Sequence, residues 1–131
     1  MNIFKKLIFI GLLFGFGCEK QGIINGGSYK NGNQDVINTF YIYDYISIDD
    51  IKNHGLTLPY FDGTLLTNYY FSYNSTFPSH SLSTSKDISD ANKLINEYAF
   101  NIKYASIRTK SGKMKFVDCS KSPNDFLCSS K

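Results

Sequence analysis

The sequence predicts an α+β domain: a small, mainly antiparallel sheet of about four strands with one long and one short helix, in the order β-α-β-α-β-β. Three observations predict it. Tyr and Phe number 10 and 11 in 131 residues, while Trp is absent; with many Ile and Asn besides, this suits strands with tyrosine-lined faces. Residues 36–46 and 64–73 alternate with the period of a strand. Residues 87–98 carry apolar side chains at helical spacing.

In residues 36–46, Phe40, Ile42 and Ile46 point one way and Tyr41, Tyr43 and Tyr45 the other. Asp44 interrupts the aliphatic face, so that end of the strand is expected to be exposed. Ser47 then reads as an N-cap, with Asp49 and Asp50 in an acidic first turn. Gly55 reads as the stop of a short helix of about two turns. Pro59 and Asp62-Gly63 make 56–63 a connection and turn. In residues 64–73, Leu65, Thr67, Tyr69, Phe71 and Tyr73 share one face, and Leu66, Asn68, Tyr70 and Ser72 the other.

Residues 74–86 form a long polar loop, of a length that is either functional or mobile. The helix over 87–98 puts Ile88, Ala91, Leu94, Ile95 and Tyr98 on one stripe, to pack across one face of the sheet. Ser85, Asp87 and Ser89 compete for its cap. Residues 100–109 and 113–119 make a hairpin around Ser111-Gly112. A two-residue turn sets Ile107 opposite Phe116 and Thr109 opposite Met114. The other face then gathers Arg108, Lys110, Lys113 and Lys115. No internal repeat is present in the sequence.

The N-terminus has a different character. Lys5 and Lys6 precede an apolar run over 7–16, followed by Gly17 and Cys18. The run is shorter than the roughly 20 residues that span a bilayer. This is the layout of an export signal. It resembles the signal peptide and lipobox of bacterial lipoproteins, with Gly15 where a leucine is usual. The resemblance implies that residues 1–17 are removed, that Cys18 carries fatty acyl groups such as palmitate, and that the chain is exported to the periplasm and lipid-anchored in the bacterial cell envelope. Glu19 after the cysteine favours the outer membrane over the inner. Residues 18–34, rich in Gly and Asn, then read as a flexible tether giving a span of about 20 Å. The single domain is expected over 35–131. The resemblance also accounts for an odd cysteine count: with Cys18 lipidated, Cys119 and Cys128 remain as one pair in an oxidising compartment. A disulfide there clips the tail, and in the chain-entropy model stabilises by roughly 2–3 kcal/mol.

Charge excludes one class of partner. The net charge is +3 with Lys5 and Lys6 included, so nothing points to nucleic acid. The distribution is uneven: acids cluster between Asp35 and Asp62, and bases between Lys103 and Lys115. Four cations beyond one turn suit an acidic partner or anionic headgroups, or simply a strand edge blunted by lysine. Tyr41, Tyr43, Tyr45, Tyr69, Tyr70 and Tyr73 suit an interface or a sheet core.

Sites for chemistry are sparse. His80 lies between Ser79 and Ser81, but sequence neighbours in a loop seldom build a nucleophile and base. His54 with Asp49 or Asp50 is a second candidate pair. Asp44, Asp49 and Asp50 lack the spacing of a calcium loop, and helix-dipole stabilisation accounts for the last two. Asn74-Ser75-Thr76 matches a glycosylation acceptor by chance. No cofactor, metal or small-molecule substrate is indicated. The expected function is a non-enzymatic, membrane-anchored lipoprotein binding another macromolecule, of the immunity, exclusion, inhibitor or assembly type. The surface expected to do so is Arg108, Lys110, Lys113 and Lys115 with Tyr41 and Tyr43. A structural surface lipoprotein and an anchored cell-wall or periplasmic hydrolase are the alternatives.

Overall fold

The computed structural model describes residues 22–33, 35–77 and 81–128. The expected signal peptide, Cys18 and the candidate residues Ser79 and His80 lie outside them. The strands are β1 (Gly22–Lys30), β2 (Val36–Asp44), β3 (Leu65–Ser72), β4 (Ile102–Arg108) and β5 (Met114–Asp118). Helix α1 (Ile48–Thr57) joins β2 to β3, and α2 (Ile88–Glu97) lies between β3 and β4. All five strands form one sheet in chain order.

The α+β class is as expected, but four details differ. The sheet has five strands, not four. It is mixed, because β2 and β3 run parallel. Both helices have ten residues. The order is β-β-α-β-α-β-β.

The extra strand is β1, which occupies most of the expected tether. It pairs antiparallel with β2, from Gly22↔Asp44 to Lys30↔Ile37. Its glycines serve a bulge at Asn25/Gly27. Gly27 sits at φ +134°, open to glycine and little else, and its N–H donates to Asn25 Oδ1 at 2.7 Å. Tyr29 supplies the buried side chain that a free tether lacks. Asn31 closes the turn to β2, its Oδ1 accepting from the N–H groups of Asp35 and Val36 at 2.9 and 3.2 Å.

Helix α1 begins as the sequence predicts, with the Asp50 N–H donating to Ser47 Oγ at 3.1 Å. It does not stop at Gly55. Gly55 is buried inside the helix, where a Cβ would lie 3.0 Å from Ser106 Oγ and 3.3 Å from Tyr70 Oη. The glycine lets helix and sheet approach. The stop comes from Pro59, which forces Leu58 out of the helical region, to ψ 144°. Helix α2 is capped by Asp87, which accepts from the Asp90 N–H at 2.9 Å.

The two helices cover opposite faces of the sheet. On one face, α1 sits over Tyr41, Tyr70 and Ser106. On the other, Phe40, Phe71, Ile102, Ala105 and Val117 make the main core with Leu82, Ala91, Ile95, Ala99 and Leu127. Each fully buried Phe or Leu there contributes about 1.5–3 kcal/mol. β3 is buried on both sides, with Tyr70 and Phe71 on opposite faces. The Cys119–Cys128 disulfide is present, Cα–Cα 5.4 Å, and holds Leu127 in the core.

Candidate interaction surfaces

The expected basic face is divided by one residue of register. The hairpin turn is three residues long: the Thr109 N–H donates to Lys113 O, the Gly112 N–H donates to Thr109 O, and Gly112 takes φ +92°. The pairs are therefore Arg108↔Met114, Ile107↔Lys115 and Ser106↔Phe116. A slip of one residue moves a side chain to the other face. Arg108 thus lies on the α1 face and Lys115 on the α2 face, while Lys110 and Lys113 stand at the tip.

Three of these cations have partners inside the chain. Arg108 Nη2 donates to Leu56 O at 3.0 Å, and its guanidinium lies over the Tyr60 ring. Tyr60 in turn donates to Thr109 O at 2.5 Å. Lys115 meets Asp125 at 2.8 Å and the Phe126 ring. Lys110 stands 3.9 Å from Asp35, both exposed. These contacts fasten 56–63 and the tail to the hairpin.

Tyr41 and Tyr43 are part of the α1 face. Tyr41 stacks on Tyr70, and His54 from α1 meets both rings edge-on. His54 Nδ1 is 3.0 Å from Tyr70 Oη. Burial lowers the His54 pKa and raises those of Tyr41 and Tyr70. That environment holds the imidazole neutral among phenols, while Asp49 and Asp50 serve the first turn of α1. Tyr43 continues across the sheet to Tyr104 and Phe116, with successive ring centroids 5.8 Å apart. Beneath α1, Asn68 Nδ2 donates to Ser106 Oγ at 3.0 Å, a buried polar pair in the centre of the sheet.

A surface the sequence did not reveal lies on the α2 face. A mainly apolar cleft of about 500 Å³ opens between α2, the sheet and the tail. Val36, Leu65, Tyr69, Ile107 and Leu127 line it, with Ile88 and Phe126 among the residues around it. Asn38 and Thr67 supply buried polar groups on its sheet wall. Burial pushes the Tyr69 hydroxyl up to about 12. Volume and lining match a site that takes an apolar group and orients it with a few polar contacts. The helical stripe of α2 was legible, but the cleft depends on how α2, the sheet and the tail come together, which no sequence period encodes.

Among the described residues there is no metal-ligating cluster and no helix long and apolar enough to cross a membrane. No family model, curated protein or solved structure matches this chain.

Proposed function

We propose that this chain is a small lipoprotein of the bacterial envelope, anchored through lipid on Cys18 and more at the outer than the inner membrane. In this reading it binds a partner protein and catalyses no reaction on it. The cleft beside α2 carries the binding part. A partner's apolar side chain entering it exchanges water for a mainly apolar wall, and well-packed pockets of this kind are where few residues dominate affinity. The hairpin tip beside it adds Lys113 and the exposed Phe61, on loops already fastened by Tyr60 and Arg108. Such preorganisation lowers the ordering cost of binding. The odd cysteine count and the charged, apolar N-terminus support the anchored part.

The test is cross-linking in intact cells, then membrane purification of the tagged chain and mass spectrometry. Wild type is compared with Ile88→Glu at the cleft mouth and Lys113→Glu at the tip. One stoichiometric protein, lost in Ile88→Glu without a lower melting temperature, supports the reading. Recovery of only lipid, peptidoglycan and abundant envelope proteins from all three overturns it in favour of a structural lipoprotein. The anchor is tested separately by metabolic labelling with a palmitate analogue, which Cys18→Ala must abolish.

A further inference from the structure

We infer that the end of the sheet where β1 begins is the membrane-contacting pole of the domain, and that Tyr45, Tyr73 and Phe100 enter the headgroup region of a phospholipid bilayer there. The inference rests on the anchored reading of Cys18. Its first support is chain length. Cys18 precedes Gly22, the first residue of β1, by four positions. An extended chain covers at most about 3.3–3.6 Å per residue. Gly22 therefore stands within about 14 Å of the lipidated residue, roughly twice the depth of one headgroup layer at the most. The strand removes the freedom that a tether to residue 34 would give.

Topology then decides what else is held at that surface. Gly22 pairs with Asp44, so the start of β1 and the end of β2 coincide, and Tyr45 follows immediately. β3 runs parallel to β2, with Tyr43 opposite Ser72, and the Tyr73 N–H donates to Tyr43 O at 2.9 Å. β4 begins beside them, with Ile102 opposite Phe71, and Phe100 lies two residues before it. These large side chains, from three separate connections, share one pole.

They are also unusually exposed. Phe100 is 96 % exposed, Tyr45 81 % and Tyr73 52 %; Ile24 on β1, at 57 %, adds to the same end. Tyr45 sits at φ +55°, where glycine or asparagine would be easier by roughly 1 kcal/mol, yet an exposed tyrosine occupies the position. Tyr and Phe at a lipid-water boundary bury apolar rings and leave hydroxyls wet. The acyl groups on Cys18 already hold the chain at the membrane, so inserted rings at this pole would fix how the domain stands on the bilayer. The opposite pole, with Phe61, Lys110 and Lys113, lies about 25 Å away along β3 and in this arrangement faces away from the bilayer.

The chain has no tryptophan, so a single introduced indole reports its own surroundings. Full-length lipidated Phe100→Trp and Phe61→Trp chains are placed in phosphatidylethanolamine–phosphatidylglycerol vesicles containing a dibrominated phosphatidylcholine. The expected result is a blue shift and strong bromolipid quenching for F100W, with a solvent-like spectrum and iodide quenching for F61W. Chains that sediment with the vesicles while F100W remains solvent-like overturn the pole assignment and leave the anchor standing. A blue-shifted F100W without bromolipid quenching shows the pole buried against protein, and also overturns it. Chains that neither sediment nor incorporate acyl label overturn the anchored reading and the pole with it. Quenching lost in a Tyr45→Asn, Tyr73→Ser background, with sedimentation retained, shows that the three aromatics act together.

Discussion

The Nδ1 of His54 stands 3.0 Å from the hydroxyl of Tyr70, and the two rings meet edge to face beneath α1. Burial depresses the His54 pKa below its ordinary 6.5. The folded state thus resists a proton that the unfolded chain accepts. Protons bound to the unfolded state then exceed those on the folded one between the lowered pKa and about 6.5. Stability is therefore full above that window and declines as pH falls through it. Urea titrations of wild type and His54→Gln at pH 7.5 and 5.5 should show a smaller pH-dependent loss in the variant. An equal loss in both would assign the effect elsewhere.

A Gly55→Ala change tests whether close approach or helix propensity governs α1. Propensity alone favours alanine by about 1 kcal/mol. The new methyl would press on Ser106 Oγ and Tyr70 Oη. Ser106 is fully buried and bonded to Asn68, and Tyr70 is bonded to His54, so neither yields freely. Overpacking of this kind costs about 1–3 kcal/mol. The expected outcome is a lower melting temperature, despite a substitution that stabilises an isolated helix.

How much of this was legible follows from where each constraint acts. The faces of β3, the cap at Ser47 and the stripe of α2 depend on residues within one or two turns of each other, and the sequence reveals them; at α2 it leaves Ser85, Asp87 and Ser89 competing for the cap that Asp87 takes. β1 did not show itself, because its glycines and asparagines build a bulge and a turn that matter only against β2. Gly55 carries a stop signal in the sequence, yet its neighbours Ser106 and Tyr70 come from strands distant in the chain. The hairpin register turned on whether Lys110 belongs to the loop. That single residue separates one basic face from cations on both faces and at the tip.

Arg108 illustrates the consequence. The sequence groups it with the lysines as a docking residue, and in the fold it also ties the C-terminal end of α1 and Tyr60 to β4. A hydrogen bond from a charged group in this half-exposed place stabilises by about 1 kcal/mol. Arg108→Ala should lower stability by that order in denaturant unfolding, and Lys113→Glu at the exposed tip should leave it unchanged. Equal behaviour of the two variants would show that these contacts of Arg108 add nothing to stability.

The tail is held by two unlike fastenings, the Cys119–Cys128 disulfide and the Lys115–Asp125 ion pair. The ion pair is half exposed on its lysine side and stabilises by less than about 1 kcal/mol. The disulfide closes a short loop, which the chain-entropy model values at about 2–3 kcal/mol. It also keeps Leu127 in the core and along the cleft wall. Cys128→Ser should therefore lower unfolding free energy by about 2–3 kcal/mol, and Asp125→Asn by much less. Because Leu127 lines the cleft, the cysteine variant should also weaken partner capture at temperatures where the domain remains folded. Circular dichroism fixes that temperature range, and cross-linking within it reads the cleft alone.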